Sequence, residues 1–508
     1  RNLASSLFLQ YLPTYSLQLI VMSLSRSAAR LALVIVTVMI ALLAGASAAM
    51  GIEGGQARMV DPDPILLPFL TNRHDPTLNA PVFGVQMYGR TGPASNYYPF
   101  LVDSGATWVR APISWASIEP TEAVTATYDW ASADIALEAA KTDSGAFSVV
   151  ATISDNPHWA AAYQNGPINL DDLDSFAAFV EAAVERYDGD GFQDAPDSPI
   201  VNHWELYNEP DALVGPNLEP HWGGEGSQYA HMLSIAYPAV KSANSAAKVV
   251  FGGLAYDWFV DQNGHFDRQF IDDVLNAGGG DYFDFMNFHV YPIFWYNWTD
   301  HKSPGLLEKA AFLKDKLASY GYPDKPFVIT ESGWHSNQPG DPESPTASNP
   351  EDQARFVVEL FTQNMAAGSE LMIWWMLYDP GGTYQYENGL VTNETQPHIK
   401  PSFVAFQVID SELRSAHFQR VLPLNETGAP DMEAYEFKDN VHQRSVYVAW
   451  LDPVDSTEVK PLLIPASLVT VRDIYGSSYP LSDGQDGQVD GYVTVNVSGQ
   501  PVYVEVDW

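Results

Sequence analysis

The chain contains no cysteine. Disulfides, thiolate metal sites, a cysteine nucleophile and a lipidated cysteine are thereby excluded, so stability has to come from core size. Basic residues are scarce: 25 Lys and Arg stand against 63 Asp and Glu, a net charge of −38. Such a field repels nucleic acid and anionic membranes, and neither is expected as a partner. No dinucleotide fingerprint follows the first strand-like run, and no internal repeat is found. The acidic stretch Tyr187 to Pro199 lacks the spacing and the closing glutamate of an EF-hand loop. It reads as a solvated loop in preference to a calcium site, and no metal or cofactor is expected. The longest apolar run, Leu31 to Ala44, is short for a bilayer span.

What is present is ample apolar material, 46% of 508 residues, enough for one large domain and a smaller one. From Met22, two arginines (Arg26, Arg30), the apolar run and then Ala46-Ser47-Ala48 follow the order of a secretory signal. The expectation is a signal at about 22–48, behind an N-terminal extension of residues 1–21, and an exported chain beginning near Ala49. A retained anchor is the rival reading, and once the signal is cleaved no membrane contact is expected. Residues 49–80, rich in Pro, Asp and Gly, form an irregular lead-in.

Between residues 81 and 411, short apolar runs alternate with stretches of helical spacing. The runs are Val82–Met87, Thr107–Arg110, Phe147–Ile153, Val201–Tyr207, Lys248–Gly253, Phe283–His289, Phe327–Thr330 and Leu371–Leu377. Helical periodicity covers 131–142, 171–187, 228–243, 266–277, 305–320, 351–367 and 401–411. Eight strands alternating with helices predict an α/β fold, a closed (β/α)8 barrel with parallel strands. From about 412 to 508 the texture changes to short β-type runs split by Gly, Pro, Asn and Asp, such as "RSVYVAWL" and "PVYVEVDW". This predicts a small all-β, sandwich-like domain, structural in preference to carbohydrate-binding.

In a barrel of this kind, chemistry sits at the carboxyl ends of the strands. Strand four ends in "WELYNEPD", with Asn208 and Glu209; strand seven in "VITESGW", with Glu331. Strand six delivers His289 and Tyr291, strand two Arg110, strand three the segment with Asp155 and Trp159, and strand eight Trp374 and Trp375. Two carboxylates, a cation, a hydroxyl, an imidazole and indoles are what glycoside hydrolysis needs. One carboxylic acid protonates the leaving oxygen, a second carboxylate attacks, and flat sugar faces stack on indoles. Taken singly, each residue has a structural reading: Glu209 and Glu331 as helix-entry residues, Arg110 as the partner of a barrel carboxylate, His289 and Trp375 as core.

With those motifs in place, residues 80–410 resemble the clan A glycoside hydrolases. "WELYNEPD", "SDNPHWA", "FHVYP" and the β-rich tail are most similar to family 39 and its unclassified relatives. The resemblance implies Glu209 as acid/base and Glu331 as nucleophile of a retaining enzyme. It implies Asn208 as a ligand of the sugar 2-hydroxyl, Arg110 and Tyr291 as supports of Glu331, and His289 and Trp375 as walls of the reactive subsite. Trp159 joins them as a substrate-binding residue. The expected partner is an oligo- or polysaccharide. A transglycosylase using the same site and a non-catalytic carbohydrate-binding protein are the alternatives. The aromatic loop from Tyr291 to Trp298 reads equally as a wall for further sugars or as a hydrophobic plug. Sugar, linkage, endo or exo action and oligomeric state stay open, because loops decide them.

Overall fold

Apolar, β-branched segments become eight parallel strands: β1 Phe83–Gln86, β2 Trp108–Ser114, β3 Ser148–Ser154, β4 His203–Leu206, β5 Lys248–Val250, β6 Met286–Val290, β7 Phe327–Ser332 and β8 Met372–Trp374. The computed structural model describes residues 83–508 apart from 124, 142–146, 216–218, 301, 339–346 and 383. The expected signal and lead-in lie outside the described residues. The strands run in the order β5-β4-β3-β2-β1-β8-β7-β6. The β5/β6 seam is closed by bridges between Val250 and Phe285 and between Leu254 and Phe288. The fold is therefore the (β/α)8 barrel that the alternation predicts.

Helices follow the strands, and the longer ones match the periodic segments: Leu173–Arg186, Gly226–Ala243, Leu306–Ser319, Pro350–Ala367 and Pro401–Leu413. A short helix after β1, Tyr98–Ser104, escapes periodicity because it offers only two buried residues, Leu101 and Ser104. β2 is longer than the sequence suggests. Pro112 looks like a strand terminator, yet β2 runs on to Ser114. Strand β1 stops pairing at Gln86, opposite Arg110, so Pro112 faces no β1 carbonyl that would need an N–H. Arg110 is consequently not at a strand end but inside the barrel.

Alternation along the strands stacks the interior in layers. Trp108, Val150, Val250, Phe285, Val328, Leu371 and Ile373 form a dry floor. One step towards the carboxyl ends the inward positions turn polar: Gln86, Arg110, Thr152, Glu205, Asn287 and Thr330, all buried.

The C-terminal region is all antiparallel. Six strands pair in the order β14-β13-β16-β11-β10-β9, from β9 Ala416–Val421, β10 Met432–Asp439, β11 Arg444–Leu451, β13 Leu468–Asp473, β14 Ser478–Ser482 and β16 Val502–Asp507. A ribbon of β12 Lys460–Ile464 and β15 Val493–Val497 packs across them, its Leu462, Ile464, Val493 and Val495 sharing a core with Ala449, Leu451, Val469 and Val471. Barrel and β-rich region form one compact unit. Tyr435, Phe437, Val448, Trp450 and Tyr503 belong to the same continuous apolar cluster as the barrel helices.

Candidate active site

The end of β4 is irregular for a reason visible in its backbone. Tyr207 (φ 67°) and Glu209 (φ 45°) both adopt left-handed conformations, uncommon for residues with a Cβ. The segment is pinned on both sides: Tyr207 N–H donates to Ile153 O at 2.8 Å and Glu209 N–H to Gly253 O at 2.9 Å. Pro210 disfavours a right-handed helical turn at the residue before it. Together these aim Asn208 and Glu209 into the barrel mouth instead of into a helix.

β7 solves a different problem. Between Val328 and Glu331 it carries one residue more than β6 does between Asn287 and His289, and the same excess recurs against β8. This bulge lets the consecutive residues Thr330 and Glu331 both turn inward, which strict alternation forbids. Thr330 Oγ1 reaches Glu205 at 2.8 Å while Glu331 Oε2 reaches Arg110 at 3.0 Å.

Arg110 is the hub. Its Nε and Nη2 grip Glu205 at 2.7 and 3.0 Å, Nη1 donates to Gln86 Oε1 and Glu331 Oε2 at 3.0 Å each, and Nη2 also donates to Asn208 Oδ1 at 2.6 Å. Glu205, fully buried, accepts in addition from Thr152, Gly253 N–H, Asn287 and Thr330. Burial alone would favour the neutral acid, but the Arg110 charge and these donors hold Glu205 below the usual carboxylate range. Thus Arg110 both pairs with a barrel carboxylate and supports Glu331.

Glu331 receives a second donor, Tyr291 Oη, at 2.7 Å from Oε1. Both of its oxygens are therefore bound by donors, which suits an anion. Glu209 is treated in the opposite way. Its side chain is 26% exposed at the cleft floor. Burial of the surrounding site lifts its proton affinity to about 7, and the positive charges of Arg110 and Lys309 only partly offset this. The side-chain contact found for it is His289 Nδ1, 3.0 Å from Oε1. Burial, with help from Arg110 and Lys309, drops His289 to about 4, so at neutral pH the imidazole is uncharged and this contact is a hydrogen bond, not an ion pair. Nε2 lies 3.3 Å from Thr330 Oγ1, whose single proton has Glu205 Oε1 at 2.8 Å and Asn287 Oδ1 at 3.1 Å as acceptors. Nε2 then carries the imidazole proton, Nδ1 is left as acceptor, and protonated Glu209 donates to it.

One oxygen each of Glu209 and Glu331 and one ring nitrogen of His289 all lie within 4.8 Å of one another. That convergence has the outline of a metal site, but the Arg110 guanidinium already supplies positive charge 3.0 Å from Glu331. Asp188, Asp190 and Asp194 converge similarly in the acidic loop, where Asp188, Asp190 and Asp194 accept the backbone N–H groups of Asp190, Phe192 and Gly191 respectively.

Trp375 is half-buried, donates its indole N–H to Tyr88 Oη at 3.1 Å and meets the Tyr384 ring edge-on, centroids 5.3 Å apart. Trp374 is fully buried and bonds Asn388 O, so the two indoles divide between mouth and packing. Trp159 is not joined to the carboxylate network among the described residues; its N–H goes to Glu119 O and its ring packs edge-on against Trp115. The loop Tyr291–Trp298 divides too. Tyr291 serves Glu331, Trp298 tilts onto Tyr256 and donates to Asp257, and Tyr296 is exposed. Gln86, Thr152, Asn287 and Thr330 escaped sequence reasoning because polar residues inside strands carry no motif. Tyr88, just beyond β1, could have been found by asking the strand-end question of the first strand.

No protein-family model matches the chain, and no curated protein sequence is similar to it. Solved structures do resemble it. A family 39 glycoside hydrolase from Bacteroides cellulosilyticus WH2 superposes with TM-score 0.63 at 21% identity, over 85% of this chain and 81% of that one. The catalytic domain of the family 30 xylanase C from Talaromyces cellulolyticus gives 0.56 at 16%, over 84% and 96%. A family 51 α-L-arabinofuranosidase from Bifidobacterium longum gives 0.56 at 12%, over 84% and 96%. At these identities the shared property is the fold.

Proposed function

We propose that the chain is a retaining glycoside hydrolase acting on O-glycosidic bonds of oligo- or polysaccharides. The observation that carries this reading is a pair of carboxylates with facing oxygens within 4.8 Å and unlike surroundings. Retaining enzymes hold their two carboxyl groups about 5–5.5 Å apart and inverting ones roughly 6.5–9.5 Å; an approach of single oxygens within 4.8 Å is compatible with the shorter spacing. Tyr291 and Arg110 donate to the two oxygens of Glu331, while burial raises Glu209 to about 7, within reach of an acid/base that gives and takes a proton near neutrality.

In the first step Glu331 attacks the anomeric carbon as the bond to the leaving oxygen breaks and Glu209 gives that oxygen its proton. Glu209, now a carboxylate, then takes a proton from water; the water oxygen bonds to the anomeric carbon and Glu331 is released. Asn208, whose Oδ1 is held by Arg110, presents its amide N–H2 as donor to the sugar hydroxyl beside the reacting carbon. Trp375, Tyr384 and Tyr88 supply flat faces around it. The similar folds named for a xylanase and an arabinofuranosidase put pentose substrates first in a screen. Export through the segment at about 22–48 belongs to the same proposal.

The test uses aryl glycosides. Glu331→Ala is expected to lose turnover on every substrate. Glu209→Ala should keep cleavage of substrates with activated leaving groups and be rescued by azide. For unactivated substrates kcat/KM should fall as pH rises through about 7, because the first step needs the Glu209 proton. Equal, unrescued losses in both variants would reject the assignment.

A further inference from the structure

Beneath the acid/base side of the mouth lies an ion pair that the mechanism above does not use. Lys309, on the helix Leu306–Ser319, is completely buried. Its ammonium donates to Asp257 Oδ2 at 2.7 Å, to His289 O at 2.7 Å and to Ala255 O. Three donors meet three acceptors, so the charge is fully bonded without water. Asp257 is itself fixed by the Trp298 indole N–H at 2.6 Å. The neighbouring Asp211, two residues past Glu209, accepts the N–H groups of Ala255 and Tyr256 at 3.0 and 2.7 Å. One buried cation thereby ties together the loop after β5, the loop after β6 and the backbone of the residue whose imidazole touches Glu209.

We propose that Lys309 and Asp257 are positioning residues for the reaction: Lys309 holds His289 in register with Glu209, and its charge keeps Glu209 able to give its proton up. The inference rests on Glu209 being the acid/base. In the second half of the cycle Glu209 has to exist as a carboxylate, and its surroundings oppose that. Facing it are Glu205 from β4, Asp211 from its own loop, neutral His289 and Tyr291 from β6, Glu331 from β7 and Tyr384 from the loop after β8. His221 touches its backbone. Among the described residues the positive charge acting on Glu209 comes from Arg110 and Lys309, and Arg110 is already shared between Glu205 and Glu331. Lys309 is the cation not committed to the nucleophile. Asp257, which burial lifts to about 6, is ionised at neutral pH, and its charge opposes the burial that lowers Lys309.

The experiment compares pH–rate profiles of the parent, Lys309→Met, Asp257→Asn and the double variant on an unactivated aryl glycoside. Removing the ammonium should move the alkaline limb up by about half a pH unit or more in Lys309→Met. The double variant leaves no buried charge unpaired, guards against simple misfolding and should move the same way. Asp257→Asn keeps the ammonium and should leave the limb at or below its parental position. Glutamate 13Cδ NMR, with Glu209 assigned through Glu209→Gln, reads the same titration without turnover. Profiles that merely scale down at every pH, with an unmoved Glu209 titration, would overturn the proposal. Failure of azide to rescue Glu209→Ala would instead reject the acid/base reading, so the two failures are separable.

Discussion

Two donors of different kinds hold Glu331, and one can be deleted with little disturbance. Tyr291→Phe removes the hydroxyl 2.7 Å from Oε1 and leaves Arg110 on Oε2. A hydrogen bond to a charged group contributes about 1.5–3 kcal/mol, so kcat should fall roughly 10- to 100-fold with the Tm little changed. Wild-type kcat in the variant would show that the hydroxyl does not serve the nucleophile. At this scale the sequence was informative wherever a side chain stood at a strand end. Asn208, Glu209, His289, Tyr291, Glu331 and Trp375 meet at one mouth, while Trp159 is taken up by packing on Trp115. Glu205 and Glu209 stand four residues apart, so alternation alone does not separate them. Depth separates them: one is saturated by donors around Arg110, the other reaches solvent.

Among the elements, the segment that follows β5 shows how tightly the imidazole is framed. A Cβ on Gly253 would lie 1.9 Å from His289 Nε2. The glycine is needed for this close approach, not for an unusual backbone angle. Gly253→Ala should push the ring off Glu209 and cost about 10-fold or more in kcat, since a displacement near 1 Å at a reacting group is expensive. An unchanged kcat with a correctly folded far-UV spectrum would mean that His289 does not position Glu209. Element type was legible from periodicity, whereas boundaries were not. The sequence reading ends strand two at Arg110, four residues before β2 does, although Arg110 lies within a seven-residue strand. The bulge in β7 leaves no trace in composition, because it is defined only against the registers of β6 and β8.

In the molecule as a whole, the helix Pro350–Ala367 lies between the barrel and the β-rich region. From Gln353 to Ala367 every residue except Arg355 is buried, because the barrel covers one side and the β-rich region lies against the other. Gln363 of this helix donates to Glu433 at 2.8 Å, and Arg355 donates to Val454 O at 2.8 Å. The same helix carries Glu359, fully buried, with neither carboxylate oxygen hydrogen-bonded among the described residues. Burial, reinforced by Glu433, raises Glu359 far above the usual range, and Asp452 is raised in the same way. A carboxyl that binds its proton more tightly folded than unfolded contributes fully below the unfolded value of about 4 and loses that contribution as pH rises. The parent Tm should therefore decline from pH 5 towards pH 9. Glu359→Gln, a neutral mimic of the acid, should flatten the decline, matching the parent at pH 5 and exceeding it at pH 8. Parallel Tm profiles would show that Glu359 is not held protonated.

By itself the sequence determined the alternation of strands and helices, the change to β texture near residue 412 and the chemistry offered at the strand ends. These follow from local period and residue type, which neighbours in the chain are enough to set. The tertiary structure alone decided which carboxylate is saturated and which is left with its proton, which indole faces the mouth, and that Lys309 lies under His289. Those properties depend on depth and on partners hundreds of residues apart, 221 for Arg110 and Glu331 and 287 for Trp375 and Tyr88, which closure of the barrel brings within about 3 Å.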